Sequence, residues 1–189
     1  MKRINLGILG GGQLASMLCV AAKKLDIFTI VWSDDPMSPA KEFSDEFIFS
    51  DYSDNEKFNY FTKKVDKITF EFENIPFNTL DKLNSIKEVL PKPQVNKVVQ
   101  NRILEKNFVN NLNIKTTEYK KINSKDDLIS NTDILPAMLK TATLGYDGKG
   151  QFKLNNLEDC KNITLSKDTD YILEKMVNLK KEISVIVTR

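Results

Sequence analysis

The chain has no histidine in its 189 residues. That removes histidine general bases, serine or cysteine nucleophiles activated by histidine, and the usual zinc ligands. Cysteine is nearly as scarce: Cys19 and Cys160 are the two present. They are too few and too unpatterned for a disulfide framework or a metal site, and both are expected as buried free thiols in a reducing compartment. Neither sign of charge dominates. With 28 Lys+Arg against 26 Asp+Glu, the formal net charge of +2 gives no general drive toward nucleic acid or an anionic membrane. No apolar run approaches the roughly 18 residues that read as a membrane span. The basic start Met1-Lys2-Arg3 and apolar Ile4 to Leu9 imitate a signal peptide briefly, and the glycines at 10, 11 and 12 end the run too early. The expectation is a soluble, cytoplasmic protein with no nucleic-acid or membrane partner. Its chemistry then rests on carboxylates, lysines, arginines and backbone.

What is there is 41% hydrophobic residues, enough for one good core or two small ones. The first hundred residues alternate strand-like and helix-like segments. Strands are expected at Asn5 to Leu9, Phe28 to Trp32, Glu46 to Phe49 and Lys67 to Phe72, with a short fifth at Val89-Leu90. Helices are expected at Gln13 to about Leu25, Asp54 to Lys64 and Phe77 to Ser85. The alternation predicts an α/β fold whose parallel sheet is covered by helices on both faces and binds ligands at the strands' carboxyl ends. Pro91-Lys92-Pro93 punctuates this pattern. A helix from Gln94 to Asn111 follows, carrying Arg102 and Lys106 on one face. Beyond it lie shorter, hairpin-like pieces: Thr116 to Ile122, a helix around Lys125 to Ile129, Ile134 to Leu139, Gln151 to Leu154, Tyr171 to Val177 and Glu182 to Thr188. The last reads as a strand cut short at Arg189. The expected division into two domains is 1–112 and 113–189.

Three constellations carry chemistry. Gly10-Gly11-Gly12-Gln13-Leu14-Ala15, between a strand and a helix, matches the dinucleotide fingerprint, with Asp34 or Asp35 near the end of the next strand. The same turn serves sheets that hold a phosphorylated substrate at a helix N-terminus, and Gln13 offers an amide to ligand oxygens. Thr69-Phe70-Glu71-Phe72-Glu73-Asn74 places two carboxylates on one strand face. The third is Leu144-Gly145-Tyr146-Asp147-Gly148-Lys149-Gly150-Gln151, which gathers three of the seven glycines around one lysine in a hairpin connection. With Lys140 on the preceding strand, its amides and Lys149 suit a polyphosphate. Backbone groups of Lys175 to Val177 can read an adenine edge, and Glu182 can accept from ribose hydroxyls.

In these residues the chain resembles the N5-carboxyaminoimidazole ribonucleotide synthetases of the ATP-grasp superfamily in purine biosynthesis. The matching pieces are Gly10 to Leu14, Phe70 to Asn74, Gln100-Asn101-Arg102 with Glu105-Lys106, Lys140-Thr141, Gly145 to Gln151, Glu174, and Glu182 to Val185. The resemblance implies a Rossmann-like preATP-grasp domain followed by the first part of an ATP-grasp domain. It also implies an ATP-dependent ligase that carboxylates 5-aminoimidazole ribonucleotide with bicarbonate, using Mg²⁺, and a homodimer at full length. ATP contacts carry over to Arg102, Lys140, Gly145, Tyr146, Asp147, Gly148, Lys149, Gly150, Gln151, Glu174, Lys175, Met176, Val177 and Glu182. Gln13, Leu14 and Glu73 would face the ribonucleotide, with Asp147 and Tyr146 near the reacting groups. Ala15, Ser16 and Ala142 depart from the family pattern and bear on affinity for the substrate phosphate. Family members are about twice as long, so the chain reads as an amino-terminal half, with Mg²⁺ ligands expected beyond Arg189 and none within it. Alone it is expected to bind nucleotide without turnover. Other readings of the same residues are a different ATP-grasp ligase, of the biotin carboxylase or formate-dependent transformylase type, and a nicotinamide-binding oxidoreductase built on Gly10 to Ala15.

Overall fold

The computed structural model describes residues 3–145 and 150–187. The chain divides into two compact units, Met1–Gln100 and Asn101–Arg189. In the first unit β1 (Asn5–Leu9), β2 (Phe28–Ser33), β3 (Glu46–Phe49) and β4 (Lys67–Phe70) form a parallel sheet in the order β3-β2-β1-β4. Successive side chains of a strand point to opposite faces, and here both faces are buried, so the strands read as nearly continuous apolar runs. Ile8 and Val31 pack with Ala15, Cys19 and Ala40 on one face. Leu9, Ile30, Trp32, Ile48 and Ile68 pack with Phe61, Leu80 and Leu83 on the other. The helices α1 (Gln13–Lys24), α2 (Asn55–Lys64) and α3 (Phe77–Asn84) supply these partners, with Ala40 coming from a 3-10 turn at Pro39–Glu42. In α1 the buried positions Ala15, Ser16, Cys19 and Ala22 form the narrow stripe of small residues that lets the helix lie close to the sheet. α2 starts at Asp54, whose carboxylate accepts from the Glu56 and Lys57 amides. Cys19 and Cys160 are both buried free thiols, and burial raises the pKa of each.

Several expected boundaries move. β4 ends at Phe70 and not at Phe72, because its partner β1 ends opposite it at Leu9 and Gly10 then turns away at φ +88°. Glu71 makes the last ladder bond, its N–H donating to Leu9 O at 3.1 Å. Glu71 and Glu73 therefore do not share a strand face. The fifth strand at Val89-Leu90 is a single parallel bridge from Val89 to Ile68.

The long helix from Gln94 to Asn111 is two helices, α4 (Pro93–Val99) and α5 (Arg102–Asn111). Asn101 breaks it: at φ −128° and ψ 112° its side chain accepts from Ile103 N at 2.9 Å and Leu104 N at 3.2 Å, starting a new helix. Consequently α5 belongs to the second unit, and the units separate at Gln100/Asn101, ahead of the expected 112/113. Asn101→Ala removes the cap and is expected to cost about 0.5–2 kcal/mol, read as a lower melting temperature; no change would show that α5 starts without it.

The second unit is an antiparallel sheet, β5-β8-β6-β7, from β5 (Tyr119–Ile122), β6 (Ala137–Thr141), β7 (Gln151–Leu154) and β8 (Tyr171–Lys175). β6 and β7 form the expected hairpin, with Lys140 opposite Gln151. One sheet face carries Ile122, Ala137, Leu139, Leu154 and Leu173 into a core with Leu128 and Cys160. Those two come from α6 (Lys125–Ser130) and α7 (Leu157–Asn162), capped by Ser124 and Asn156. Three strands are shorter than expected: Thr116 to Glu118 precede β5, Ile134 sits in a 3-10 turn ahead of β6, and β8 stops at Lys175. Glu182 to Val187 form no strand. Ile183, Val185, Ile186 and Val187 are exposed by 74–90%, and among the described residues no neighbouring strand offers the ladder that would satisfy an extended backbone there. Among the described residues no helix is long and apolar enough to cross a membrane.

Candidate functional site

The sheet face of the second unit opposite its core carries the charged side chains. Met138 pairs with Glu174 across β6 and β8, and Glu174 pairs with Tyr119 across β8 and β5, so the three side chains form one row. Lys140, two residues beyond Met138, rises from the same face. Its Nζ donates to Glu174 Oε2 at 2.7 Å. From α5, Lys106 Nζ reaches Glu174 Oε1 at 3.3 Å and lies 5.7 Å from the Tyr119 ring centroid. One carboxylate thus holds two ammonium groups. All three are sheltered, with side-chain exposures of 11% for Glu174, 23% for Lys140 and 17% for Lys106. Charge taken this far out of water persists only when paired, and the surplus positive charge is what a polyphosphate seeks.

Arg102 serves the loop after β6. Its guanidinium donates to Thr141 O at 2.9 Å and Gly145 O at 2.5 Å, while its own N–H donates to Ala142 O at 2.9 Å. The loop therefore leaves the sheet from a fixed base. It returns through Gly150 at φ +67°, where a Cβ would lie 2.8 Å from Thr141 Oγ1, so glycine alone fits without strain. Tyr146, Asp147, Gly148 and Lys149 lie outside the described residues.

The other expected nucleotide contacts are placed as follows. Glu174 is in the cluster, at the end of β8. Lys175 N–H donates to Glu118 O at 2.9 Å, Lys175 O accepts from Thr117 Oγ1 at 2.8 Å, and Met176 N–H donates to Pro136 O at 2.9 Å. Lys175, Met176 and Val177 are exposed beyond that edge, and Glu182 lies in the exposed segment after it, away from any regular element. Lys106 is the residue that sequence reasoning did not assign. Its signal was the four-residue spacing from Arg102, which places both on the sheet side of α5.

In the first unit, the strands β1, β2 and β4 end around a crevice of about 260 Å³ lined by Gly10, Gly11, Gly12, Ser33, Asp34 and Glu71. This is where open parallel sheets bind ligands. Glu71 enters it, with Oε1 accepting from Gly12 N–H at 2.8 Å. A carboxylate therefore stands where the fingerprint of a dinucleotide-binding protein would place pyrophosphate, and a second anion there would be repelled. Asp35 is likewise engaged, accepting from Met37 N–H at 2.8 Å. Both contacts count against the nicotinamide reading. Tyr52 closes the floor of the crevice: burial, with Asp34 nearby, pushes its phenol well above the ordinary value, so it remains a neutral donor, 3.4 Å from Trp32 O. Gln13 and Leu14 sit exposed in the first turn of α1, and Glu73 is exposed in the turn after β4. That turn is tied down by Gln100, whose Nε2 donates to Glu73 O and Ile75 O, each at 2.7 Å. Among the described residues no group of three or more His, Cys, Asp or Glu side chains is placed to hold a metal ion.

A parallel α/β unit with a glycine turn at its ligand end, followed by an antiparallel unit with paired lysines and a glycine hairpin, defines the preATP-grasp and ATP-grasp class. Family models agree in that order: a ribonucleotide synthetase preATP-grasp domain matches residues 1–100 and an ATP-grasp domain matches 107–189. The chain belongs to the ribonucleotide synthetase preATP-grasp family. It is 35% identical over 190 residues to the N5-carboxyaminoimidazole ribonucleotide synthase of Brucella melitensis, covering 98% of this chain and 52% of that protein. An N5-carboxyaminoimidazole ribonucleotide synthetase solved as an ADP complex superposes with a TM-score of 0.84 at 31% identity, over 95% of this chain and 50% of that one. The enzyme of Aspergillus clavatus, solved with ADP and 5-aminoimidazole ribonucleotide, gives a TM-score of 0.81 at 26% identity, over 94% of this chain and 48% of that one. The chain spans about half the length of these relatives.

Proposed function

We propose that this chain provides the ribonucleotide-binding unit and the first nucleotide-binding unit of an N5-carboxyaminoimidazole ribonucleotide synthetase. The reaction consumes ATP, bicarbonate and 5-aminoimidazole ribonucleotide and yields the N5-carbamate, ADP and phosphate. The observation that carries this reading is the Lys106–Glu174–Lys140 cluster, whose Lys140 pairs with Gln151 where the glycine loop joins the sheet. In it Lys140 serves the α and β phosphates, and Arg102 holds the base of the hairpin. The amides of Gly145 to Gln151 with Lys149 cover the β and γ phosphates. Glu174 is among the nucleotide contacts, Lys175 to Val177 read the adenine edge and Glu182 accepts from the ribose, and Gln13, Leu14 and Glu73 face the ribonucleotide. Tyr146 and Asp147 stand near the reacting groups. ATP activates bicarbonate as carboxyphosphate, which is labile in water, so a closing glycine hairpin that excludes solvent serves the chemistry directly.

Mg²⁺ would accompany the polyphosphate, held by carboxylates beyond Arg189, and would supply neutralisation of phosphate charge there. The complete protein is cytoplasmic and homodimeric. ATP is expected to raise the melting temperature of this chain and NADH is not, since a ligand at a hundred times its Kd adds about 2.7 kcal/mol to the folded state. Lys140→Ala is expected to weaken ATP binding about 10–100-fold. In the complete synthetase, phosphate release should require both bicarbonate and the aminoimidazole ribonucleotide. Stabilisation by NADH alone, or full ATP affinity in Lys140→Ala, would overturn the assignment.

A further inference from the structure

Lys140 is already engaged. Its ammonium is spent on Glu174 at 2.7 Å, and Glu174 is only 11% exposed. If Lys140 were the sole partner, turning it toward a phosphate would leave a sheltered carboxylate uncompensated, and the cost of that would be charged against every phosphate contact Lys140 makes. The second ammonium removes the difficulty. Lys106 sits on the other carboxylate oxygen at 3.3 Å, from a different element, and its side chain is steadied by the Tyr119 ring. Tyr119 is itself held, its hydroxyl donating to Asn107 Oδ1 at 2.6 Å, one residue along α5 from Lys106.

We propose that Lys106 is a positioning residue for the nucleotide: it keeps Glu174 compensated, so that Lys140 can exchange its carboxylate partner for a phosphate at little cost. The inference rests on the nucleotide reading above and adds to it a residue that touches no ligand. It assigns the two oxygens of Glu174 different duties. Oε1 is the permanent partner of Lys106, and Oε2 is the place where Lys140 waits. The position of Lys106 on α5, four residues from the Arg102 that anchors the hairpin, couples the lysine exchange to the element that fixes the loop base.

The test compares ADP with adenosine, because the exchange concerns phosphate alone. Calorimetric titration of the wild-type chain should show ADP bound more tightly than adenosine. Lys106→Met should reduce the ADP-to-adenosine affinity ratio about tenfold or more, since Lys140 is then held by an otherwise unpaired carboxylate, with adenosine affinity nearly unchanged. Lys106→Arg should recover most of the ratio. Adding Glu174→Gln to Lys106→Met should also recover it, because a neutral amide no longer retains Lys140. A general loss of structure would lower ADP and adenosine binding together and would not be repaired by the second substitution. Wild-type ratios in Lys106→Met, or a double variant as weak as the single one, would overturn the exchange. A wild-type chain that binds adenosine and ADP equally would overturn the nucleotide reading itself, and the exchange with it.

Discussion

Trp32→Ala is expected to cost the first unit about 3–5 kcal/mol, since Trp32 is the largest fully buried side chain among the described residues. Trp32 is fully buried near the carboxyl end of β2, and its ring packs 5.5 Å from Tyr52 and 5.4 Å from Phe61 by centroid. Its indole N–H donates to Ser50 O at 3.1 Å and to Ser50 Oγ at 3.0 Å. Truncation therefore opens a cavity beside the Tyr52 and Phe61 rings, and it leaves Ser50 without its donor. Tyr52 leans on the same ring, so the floor of the glycine crevice loosens with it. Urea unfolding should show a lower midpoint at an unchanged slope. A loss below about 1 kcal/mol would mean that the space refills and that Trp32 is not the keystone of this core.

Leu173→Ala should weaken the second unit by about 2–5 kcal/mol. Leu173 is fully buried in β8, an interior strand of the sheet, where it is opposite Lys120 of β5 and Leu139 of β6. Its side chain enters the core formed with Ile122, Leu128 and Cys160. The next residue is Glu174, on the opposite face. Disturbing the backbone of β8 at 173 moves the carboxylate that organises Lys106 and Lys140, so nucleotide affinity should fall along with the melting temperature. Leu173→Met, which keeps the volume, should cost less than about 1.5 kcal/mol and preserve affinity. If both variants melt alike, packing at this position is not what holds the strand in register.

Much of the architecture was legible because its signals are local. The βαβ opening and the hairpin on either side of the glycine loop each follow from side-chain period or from glycine's backbone freedom. The errors have a common cause. Whether residues 71–72 and 182–187 are strands depends on whether another strand lies alongside, and a single segment carries no record of its neighbour. The division of the long helix depended on one asparagine, which reads as an ordinary polar helix residue until its amide oxygen is seen capping two N–H groups.

The same distinction separates the parts of the site. The identity of the loop from 145 to 151, the chemistry available to a chain without histidine, and the likeness to a synthetase family were all determined by residue types in order along the chain. Tertiary structure alone decided that Glu71 turns back to fill the anion position at Gly12, which argues against a dinucleotide there. It alone also brought Lys106, Lys140 and Glu174 together from a helix and two strands, residues whose separations along the chain predict no contact. Electrostatic pairing acts over a few ångströms of space, and only the folded sheet determines which charges lie that close.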